Sequence, residues 1–447
     1  MSTSTVPDVL AAAVAWACVA SGVWNTYCAH ASLSRLQTAT RSRRVGRARV
    51  IDARASRPTI VVVVPMLCEA DRVSQVAAHW STLLAAHPQL RLCLVTTERE
   101  RAEAPSRRHT WDVLAADPDM AQILHDGRAE VMHYPAVNRT YGEQLGWALD
   151  ELAGRPAPGP ADYVYVTNAD SRLSAEACAE ITELACAGVE CAQQSSLFFG
   201  NLEDVSWLAA GEAFYQSRWT VEVELFRYLV GSGQIGWVPA WLCARWYQHA
   251  VGHGLLLSLS YYRALGGLPR PTYGLEDAAL GFAIRSRGGH IHPFVTLECG
   301  EAPTSFRELQ RQRATWIRGP LCAFEYASRP RHAVLAGQGL FNGLKWSLGV
   351  PVLGVMLYLL PWPDRLIAAA GLLLGLYGPI LRLLASLDEL EFVAANRPRP
   401  ADIARGLSAY LPAAVNCWLG GLRGLARLLV EAATQRPAVQ QRTRETA

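Results

Sequence analysis

The middle of the chain alternates apolar runs with segments of helical periodicity. Residues 59–65, Thr-Ile-Val-Val-Val-Val-Pro, form a continuous apolar and β-branched run, which is typical of a strand buried on both faces. The elements predicted after it are, in order, helix 70–86, strand 90–97, strand 129–133, helix 141–152, strand 162–167 and helix 175–187. Strands that alternate with helices in this way predict an α/β domain with an open, mostly parallel central sheet and helices on both faces.

A long apolar segment precedes this domain. Residues 9–29 carry no charge and are long enough to cross a bilayer. A secretory signal peptide is the competing interpretation, but the basic residues lie on the wrong side of the apolar run. Arginines follow it at Arg35, Arg41, Arg43, Arg44, Arg47, Arg49, Arg54 and Arg57. By the positive-inside rule, this pattern predicts an N-terminus outside the cell and a cytoplasmic location for the domain.

Two further apolar segments follow the domain and predict a transmembrane hairpin. The first begins near Trp346, the second covers 366–387, and the short polar turn 361–365 between them is expected outside. The stretch 324–345 mixes charged and apolar residues, which favours an amphipathic helix on the inner membrane surface. Residues 406–422 allow either a fourth span or an interfacial or re-entrant helix. A fourth span would place the Arg-rich tail outside, so we favour the second alternative.

These segments divide the chain into consecutive predicted parts. They are an N-terminal transmembrane anchor (1–34), a basic cytoplasmic linker (35–57), a cytoplasmic α/β domain (58–322), an amphipathic interfacial helix (323–345), a transmembrane hairpin (346–388), and a membrane-associated helix with an Arg-rich cytoplasmic tail (389–447). The sequence therefore predicts a multi-pass protein of the cell (inner) membrane whose α/β domain faces the cytoplasm.

Composition narrows the class of protein further. The 447 residues are 51% hydrophobic and 18% charged, which is apolar for a soluble enzyme. The net charge of +3 is too small to predict a nucleic-acid partner. The 11 cysteines are scattered singly without CxxC pairs, and they indicate buried thiols in a reducing compartment rather than disulfides or zinc ligands.

Acids or amides follow three of the predicted strands. Glu69 follows the first strand, Glu98 follows the second, and Asn168 and Asp170 follow the strand at 162–167. Each alone is more often a surface carboxylate or a helix cap than a ligand. Ligands of parallel α/β sheets bind beyond the carboxyl ends of the strands, where these side chains are expected to gather. The sequence therefore predicts a polar site at this edge of the sheet.

Two adjacent acids begin a helical pattern further along the chain. Glu276 and Asp277 open the apolar-periodic segment 276–286. Acids at a helix N-terminus can simply stabilise the helix dipole, which contributes a few tenths of a kcal/mol up to ~1 kcal/mol. The alternative is a general base that the same dipole holds in place.

Residues 305–319 predict a basic helix close to the membrane. Gln312, Arg313, Trp316 and Arg318 lie close together on it. Such a group is either a plain basic face or a cluster that grips a diphosphate or an acceptor. No Gly-rich phosphate loop of the GKT or GKS type and no HExxH motif occurs in the sequence, which argues against P-loop enzymes and HExxH metalloproteases.

Taken in order, these segments resemble the membrane-bound family-2 inverting glycosyltransferases with a GT-A fold, of the cellulose- and hyaluronan-synthase-like branch. The matching segments are PMLCEA (65–70), VTTE (95–98), VNRTYGEQLGWALDEL (137–152), VTNADSRL (166–173), GLED (274–277) and QRATW (312–316). They are similar to that family's PxxNE, nucleotide-contacting, NxGKAxALN, DxD, TED and QxxRW segments. The resemblance covers roughly residues 59–319 and the flanking membrane segments.

The resemblance implies a nucleotide-sugar donor (a UDP- or GDP-sugar), a divalent ion (Mg²⁺ or Mn²⁺) and a role for each matching residue. The implied roles are donor-nucleotide contact for Glu69 and Glu98, metal binding for Asp170, a metal or sugar contact for Asn168, general-base catalysis for Asp277 with Glu276 beside it, diphosphate binding for Arg313 or Arg318, and acceptor binding for Gln312 and Trp316. His253 is a further candidate for an acceptor or phosphate contact, with a structural histidine as the alternative.

Three departures from the family pattern keep alternatives open. Asn168 stands in the first DxD position, Glu143 where a basic residue is common, and Thr315 in the arginine position of QxxRW. The predicted function is sugar transfer to a lipid-linked or membrane-proximal glycan acceptor, as in polysaccharide biosynthesis of the cell envelope. The departures also allow a non-catalytic subunit that binds nucleotide or carbohydrate. A processive polysaccharide synthase would need a partner membrane subunit to complete a channel, and the long soluble region argues against a transporter.

Overall fold

The structure is a computed structural model of the chain. It describes residues 6–46, 58–103, 108–137, 140–155, 162–236, 247–391 and 397–434. The predicted basic linker lies outside the described residues from residue 47 onward, and the predicted Arg-rich tail lies outside them from residue 435 onward.

The α/β domain contains a seven-stranded sheet and a two-stranded sheet. The strands are β1 (Ile60–Pro65), β2 (Leu90–Thr97), β3 (Ala129–Tyr134), β4 (Tyr163–Val166), β5 (Cys191–Gln193), β6 (Ser196–Leu197), β7 (Leu255–Ser258), β8 (His292–Pro293) and β9 (Glu298–Cys299). The order in the large sheet is β3-β2-β1-β4-β7-β5-β8, and β6 pairs with β9. All pairings are parallel except those of β7, which runs antiparallel to β4 and β5. The predicted α/β fold with a mostly parallel sheet is confirmed.

Helices cover both faces of this sheet and continue into the flanking segments. They are α1 (Val6–Gly46), α2 (Val73–Ala86), α3 (Arg99–Glu103), α4 (Thr110–Ala116), α5 (Pro118–His125), α6 (Tyr141–Gly154), α7 (Ala175–Cys186), α8 (Trp207–Trp219), α9 (Leu225–Gly231), α10 (Leu259–Leu265), α11 (Glu276–Ser286), α12 (Phe306–Trp316), α13 (Arg318–Leu321), α14 (Ala333–Leu359), α15 (Trp362–Leu384), α16 (Pro400–Ser408) and α17 (Tyr410–Thr434). A π-helix, Thr220–Glu224, joins α8 to α9.

The apolar run of β1 is explained by its central place in the sheet. β1 lies between β2 and β4 and is buried along its whole length. Val62 and Val64 belong to the hydrophobic core on one face, with α2 and α7. Val61 and Val63 belong to the core on the other face, with α6 and α10. A strand covered on both faces cannot alternate apolar and polar residues, and this is why its signal in the sequence is continuous.

Within the described residues, three helices are long and apolar enough to cross a membrane. These candidate spans are Asp8–Arg43, Pro330–Leu359 and Trp362–Leu384. The first belongs to α1, which is 41 residues long and continues well past the apolar run predicted at 9–29. The third belongs to α15, which packs along α1. There a Cβ on Gly22 would lie 2.2 Å from the carbonyl oxygen of Gly371, so the two backbones touch through glycines.

The boundary predicted at residue 345 is not a break in the structure. α14 runs without interruption from Ala333 to Leu359, through the predicted junction between interfacial helix and span. Pro351 lies inside it. A helix needs no break where its surroundings change from interface to hydrocarbon, because its backbone hydrogen bonds are internal in both places.

The predicted helix at 406–422 forms α16 and α17, which meet at Ala409. α17 packs one side against α12 and α8 and also contacts α14. Its outward side carries exposed apolar residues, including Leu411, Val415 and Leu419. This two-sided character is typical of an amphipathic helix at an interface, so the interfacial placement stays our prediction.

Candidate active site

The two acids of the GLED segment occupy the first two positions of α11. The helix begins at Glu276, and the backbone N–H of Ala278 donates to Oδ1 of Asp277 (2.6 Å). Burial raises the pKa of both carboxyls above their usual range, and the charge of Asp277 raises that of Glu276 further. Two half-buried, adjacent carboxylates with raised pKa values are suited to accept a proton near neutral pH.

Helix α6 and the loop before β7 enclose Asp277. Tyr141 donates its hydroxyl hydrogen to the carbonyl of Gly252 (3.0 Å). A Cβ added to Gly252 would lie 3.6 Å from Oδ2 of Asp277 and 3.7 Å from Cε1 of Tyr141. The backbone N–H of Gly252 is also a hydrogen-bond donor to Asp277. The carboxylate of Asp277 is therefore fixed in place by backbone groups on two sides.

Glu276 lies against the first turn of α6. A Cβ on Gly142 would overlap the Glu276 side chain, so a larger residue at 142 would displace this carboxylate. The same turn explains the departure at Glu143. Its carboxylate accepts from the N–H of Thr140 (2.9 Å) while the Thr140 hydroxyl accepts from the N–H of Glu143 (3.2 Å). Glu143 thus closes a capping box that begins the helix.

Asp170 lies in the loop after β4 and does not cap α7. That helix is capped by Ser174, whose hydroxyl accepts from the N–H of Ala177 (3.1 Å). The charge of Asp170 helps to raise the pKa of both His253 and Tyr141, which places its carboxylate close to these two side chains. The structure therefore brings Asp170 to the same site as Asp277.

His253 is held by a buried carboxylate. Its Nδ1 lies 2.9 Å from Oε2 of Glu298, which also accepts from the Ser196 hydroxyl (2.6 Å). Burial alone would lower the pKa of His253, but Glu298 raises it to about 9. Burial alone would raise the pKa of Glu298, but His253 lowers it to about 2. His253 is therefore an imidazolium at neutral pH, and it supplies a fixed positive charge beside Asp170.

Glu69 and Glu98 lie at the ends of the neighbouring strands β1 and β2. Oε2 of Glu98 is 2.9 Å from Nε2 of His133, and Oε2 of Glu69 is 3.6 Å from Nε of Arg72. The ring of Trp111, which is 37% exposed, lies 5.2 Å from the His133 ring between centroids. This edge of the sheet offers two carboxylates and an accessible aromatic face to a ligand.

Two arginines predicted to bind the donor instead hold helices together. Nη2 of Arg313 lies 2.9 Å from Oε2 of Glu212, and the two side chains are only 2% and 1% exposed. Nη2 of Arg318 lies 2.7 Å from Oε2 of Glu431 in α17. Each guanidinium satisfies a buried carboxylate, and breaking such a pair on one side costs about 3–5 kcal/mol. Both guanidinium groups are therefore already paired within the protein, and the diphosphate contact of Arg313 or Arg318 stays a prediction.

Trp316 and Gln312 lie on the same helix as Arg313. The guanidinium of Arg313 sits over the Trp316 ring, 4.8 Å from its centroid. Trp316 and Gln312 are both half-buried. Their acceptor role stays a prediction.

A divalent ion fits this site only if a bound ligand also coordinates the ion. Asp170 offers one carboxylate and Asn168 one amide oxygen, and both side chains are half-buried. Within the part of the chain that the structure describes, no group of three or more His, Cys, Asp or Glu residues is arranged to hold a metal. His253 carries a proton and a Glu298 contact, so it is a poor ligand. The donor set suits Mg²⁺ or Mn²⁺ that also takes oxygens from a diphosphate.

Sequence reasoning missed Glu298 and Tyr141. Both are single residues in segments without a catalytic motif, and β9 is too short to give a clear strand pattern. Tyr141 lies in the segment 137–152. It is the first residue of the helix predicted there, and that position gave no chemical reason to single it out.

The comparisons with known proteins give similarity of fold only. No family model matches the chain, and no curated protein matches it. A solved mannosyltransferase from Pyrobaculum calidifontis, in complex with GDP-Man and Mn²⁺, is 15% identical, with 93% of this chain and 99% of that chain covered and a TM-score of 0.49. S. aureus TarS (residues 1–349) in complex with UDP-GlcNAc is 9% identical, with 85% and 92% covered and a TM-score of 0.38. Both scores lie below 0.5, and neither structure decides the function of this chain.

Proposed function

We propose that the protein is a membrane-bound inverting glycosyltransferase that moves a sugar from a nucleotide-sugar donor to an acceptor hydroxyl. The observation that carries the proposal is the position of Asp277. Its half-buried carboxylate lies at the second position of α11, the His253 imidazolium acts on it, and Asp170 in turn acts on His253. A base, a metal-binding carboxylate and a fixed cation at the end of a parallel sheet are the groups that such a transfer needs.

The donor lies along the strand ends in this proposal. The nucleotide base occupies the edge formed by Glu69, Glu98 and Trp111, and the diphosphate extends towards Asp170. A base can stack on the accessible Trp111 ring while the carboxylates accept its N–H groups. UDP- and GDP-sugars both present such N–H groups.

The chemistry is a single displacement. Asp277 takes the proton of the acceptor hydroxyl as the acceptor oxygen bonds to the anomeric carbon of the sugar, and the bond to the diphosphate breaks with inversion. His253 stabilises the negative charge that develops on the leaving diphosphate. Mg²⁺ or Mn²⁺ held by Asp170 would supply further positive charge there. Glu276 remains beside Asp277, and burial and the charge of Asp277 keep the pKa of Glu276 raised.

The acceptor reaches the site from the membrane. α12, which carries Gln312 and Trp316, packs against α17, and α17 contacts the candidate span α14. A lipid-linked or membrane-proximal glycan therefore fits better than a freely soluble sugar. With α1, α14 and α15 as spans, the domain lies on the cytoplasmic side of a multi-pass protein.

Turnover of nucleotide sugars tests the proposal. Membranes that contain the full chain are incubated with a panel of labelled UDP- and GDP-sugars, with and without Mn²⁺. For the donor that reacts, Asp277→Asn should lower the rate of transfer by roughly 10²- to 10⁴-fold, because general-base catalysis is lost. Asp364→Asn, at the start of α15, is the matched control and should leave the rate unchanged.

Two outcomes would contradict the proposal. Transfer that survives Asp277→Asn unchanged would remove the base assignment. Tight donor binding without turnover of any donor would favour a non-catalytic subunit instead.

A further inference from the structure

A group of buried charges next to the π-helix takes no part in the site described above. Arg218 and Glu222 form an ion pair of 2.6 Å (Nη2 to Oε2), and both are less than a tenth exposed. Burial raises the pKa of Glu222, while the charges of Arg218, Lys345 and Arg227 lower it. Three cations therefore lie around a single carboxylate. We call these four residues the cationic cluster.

Two of these cations form no ion pair within the described part of the chain. Among the residues that the structure describes, no carboxylate lies within ion-pair distance of Arg227 or Lys345, and neither cationic group donates a hydrogen bond. Arg227 is half-buried, and burial lowers its pKa. Lys345 is exposed, and it is the chain's only lysine. The next acid, Glu224, instead accepts from the Ser195 hydroxyl (2.6 Å). The cluster thus carries excess positive charge that is graded from the buried Arg218 through the half-buried Arg227 to the exposed Lys345.

The cationic cluster lies next to aromatic side chains of a candidate membrane span. The residue before Arg227, Phe226, packs edge-on against Trp24 of α1, with ring centroids 5.9 Å apart. Trp24 stacks on Tyr27, and these two rings are 43% and 39% exposed. Tryptophan and tyrosine concentrate at the boundary between hydrocarbon and headgroups. Lys345 belongs to α14, a second candidate span, so the cluster contains a residue of one candidate span and residues of segments that contact another.

The cluster is also close to the proposed base. Tyr247 connects the two: burial and the charge of Asp277 raise its pKa, and the charge of Arg227 lowers it. Its hydroxyl is buried and has no hydrogen-bond partner among the described residues. Tyr228 donates to the carbonyl of His249 (2.7 Å). Burial raises the pKa of Tyr228, the charge of Asp277 raises it too, and the charge of Arg227 lowers it. The charges of Arg227 and Asp277 therefore both act on the same two tyrosines.

We propose that Arg227 and Lys345, supported by Arg218, bind the phosphate group of a membrane-embedded acceptor lipid. The inference rests on the proposed function and names the acceptor class: a glycan linked to its lipid through phosphate. The lipid chain lies in the membrane beside α1 and α14, the phosphate meets the cationic cluster, and the glycan hydroxyl reaches Asp277. Arginine and lysine bind phosphate through charge-assisted hydrogen bonds, and basic pockets between membrane helices bind lipid headgroups.

Equilibrium binding to the purified full chain in phosphatidylcholine nanodiscs tests the inference. The probe is labelled farnesyl diphosphate, with Mn²⁺, UDP and GDP in excess so that the donor site is filled. Arg227→Gln and Lys345→Gln should each weaken binding about tenfold, which corresponds to about 1.4 kcal/mol. Arg227→Lys should restore most of the affinity. Arg423→Gln, which removes an exposed cation of α17, is the matched control and should change nothing.

Two competitors separate the sources of phosphate. Farnesol lacks the diphosphate, inorganic diphosphate lacks the lipid, and both should compete at least about tenfold more weakly than unlabelled farnesyl diphosphate. Inorganic diphosphate that competes equally well would show a site for free phosphate and overturn the lipid assignment. Equal probe binding by the wild type and both glutamine variants would overturn the site itself. Thermal unfolding of each variant confirms that it is folded.

Failure of this inference is distinguishable from failure of the proposed function. Asp277→Asn should bind farnesyl diphosphate as the wild type does, because it leaves the cationic cluster intact. Loss of probe binding in the glutamine variants without any donor turnover in the wild type would leave the phosphate site standing and remove the transferase. The opposite result would leave the transferase and remove the phosphate site.

Discussion

At the scale of single residues, one acid of the proposed site takes part in the reaction, and other acids position or charge its neighbours. Asp277 is the proposed base, and Gly252 and Ala278 hold its carboxylate with backbone N–H groups. Glu298 acts through another residue, because it keeps His253 positively charged. The neighbours of each acid set its pKa. Burial, nearby charges and hydrogen bonds all shift pKa values within this one site.

The pH dependence of turnover follows from these shifts. Asp277 must be deprotonated to act, and burial raises the pKa of the Glu276–Asp277 pair, so activity should fall as the pH drops, at a pH clearly above the value of about 4 for a free aspartate. The KM for the donor should rise as the pH passes about 9, where His253 loses its proton. Steady-state rates between pH 4 and pH 10 measure both limbs. An acid limb at pH 4 or below would contradict the assignment.

Metal binding should depend on the donor. Because Asp170 is a single carboxylate and the described residues form no cluster of metal ligands, Mn²⁺ alone should bind weakly. Addition of UDP or GDP should raise the affinity by at least about tenfold, since the diphosphate supplies the missing oxygens. Isothermal titration with Mn²⁺, with and without nucleotide, measures the difference. Asp170→Asn should abolish the nucleotide-dependent increase, and equal affinity without nucleotide would exclude a shared ion.

At the scale of elements, the loop before α11 is tied to the membrane-proximal helices. The Glu325 carboxylate accepts from the backbone N–H groups of Thr272, Tyr273 and Gly274, and Arg318 donates to the carbonyl of Tyr273 (2.8 Å). Arg318 in turn pairs with Glu431 of α17. The start of α11, and with it the base, therefore depends on where α17 docks.

Removal of the Glu431 charge should test this connection. Glu431→Gln should lower kcat by roughly 10- to 100-fold with little change in the donor KM, because a small displacement of a catalytic group is costly while the donor contacts remain. The matched control is Glu203→Gln, which removes the exposed partner of Arg399 and should leave both constants unchanged. A rise in donor KM without a change in kcat would mean that the loop serves donor binding instead.

At the scale of the whole molecule, the sheet and the membrane helices share one packed structure. α1 packs along α15, contacts the π-helix and α9, and its Leu33 and Leu36 enter the same core as Phe214 of α8 and Leu297 beside β9. The first helix of the chain is thus part of the domain core as well as a candidate anchor. This arrangement joins the α/β domain directly to the candidate spans α1 and α15.

Cysteine labelling should establish which side of the membrane the domain occupies. Cys186 is exposed at the end of α7, so a membrane-impermeant maleimide should label it only after the cells are permeabilised. Asp364→Cys, in the turn between α14 and α15, should be labelled in intact cells. Cys186→Ser is the control that identifies the domain signal. Labelling of Cys186 in intact cells would place the domain outside and contradict the cytoplasmic assignment.

The sequence by itself determined the local elements and supplied most residues of the proposed site. Buried parallel strands need continuous β-branched runs, so β1 and β2 were predicted at close to their observed bounds, and the acids after them marked the functional edge. The first helical position of α11 was likewise readable from the adjacent acids Glu276 and Asp277. These signals are local because they depend on the residue's own strand or helix.

Only the tertiary structure decided which charged groups meet. The antiparallel place of β7, the pairing of Arg313 with Glu212 and the contact of His253 with Glu298 join segments 45 to more than 90 residues apart. No periodicity encodes such partners. An arginine near a predicted phosphate site looks the same in sequence whether it faces the ligand or a buried carboxylate, and burial of the carboxylate decides between them because an unpaired charge there is too costly.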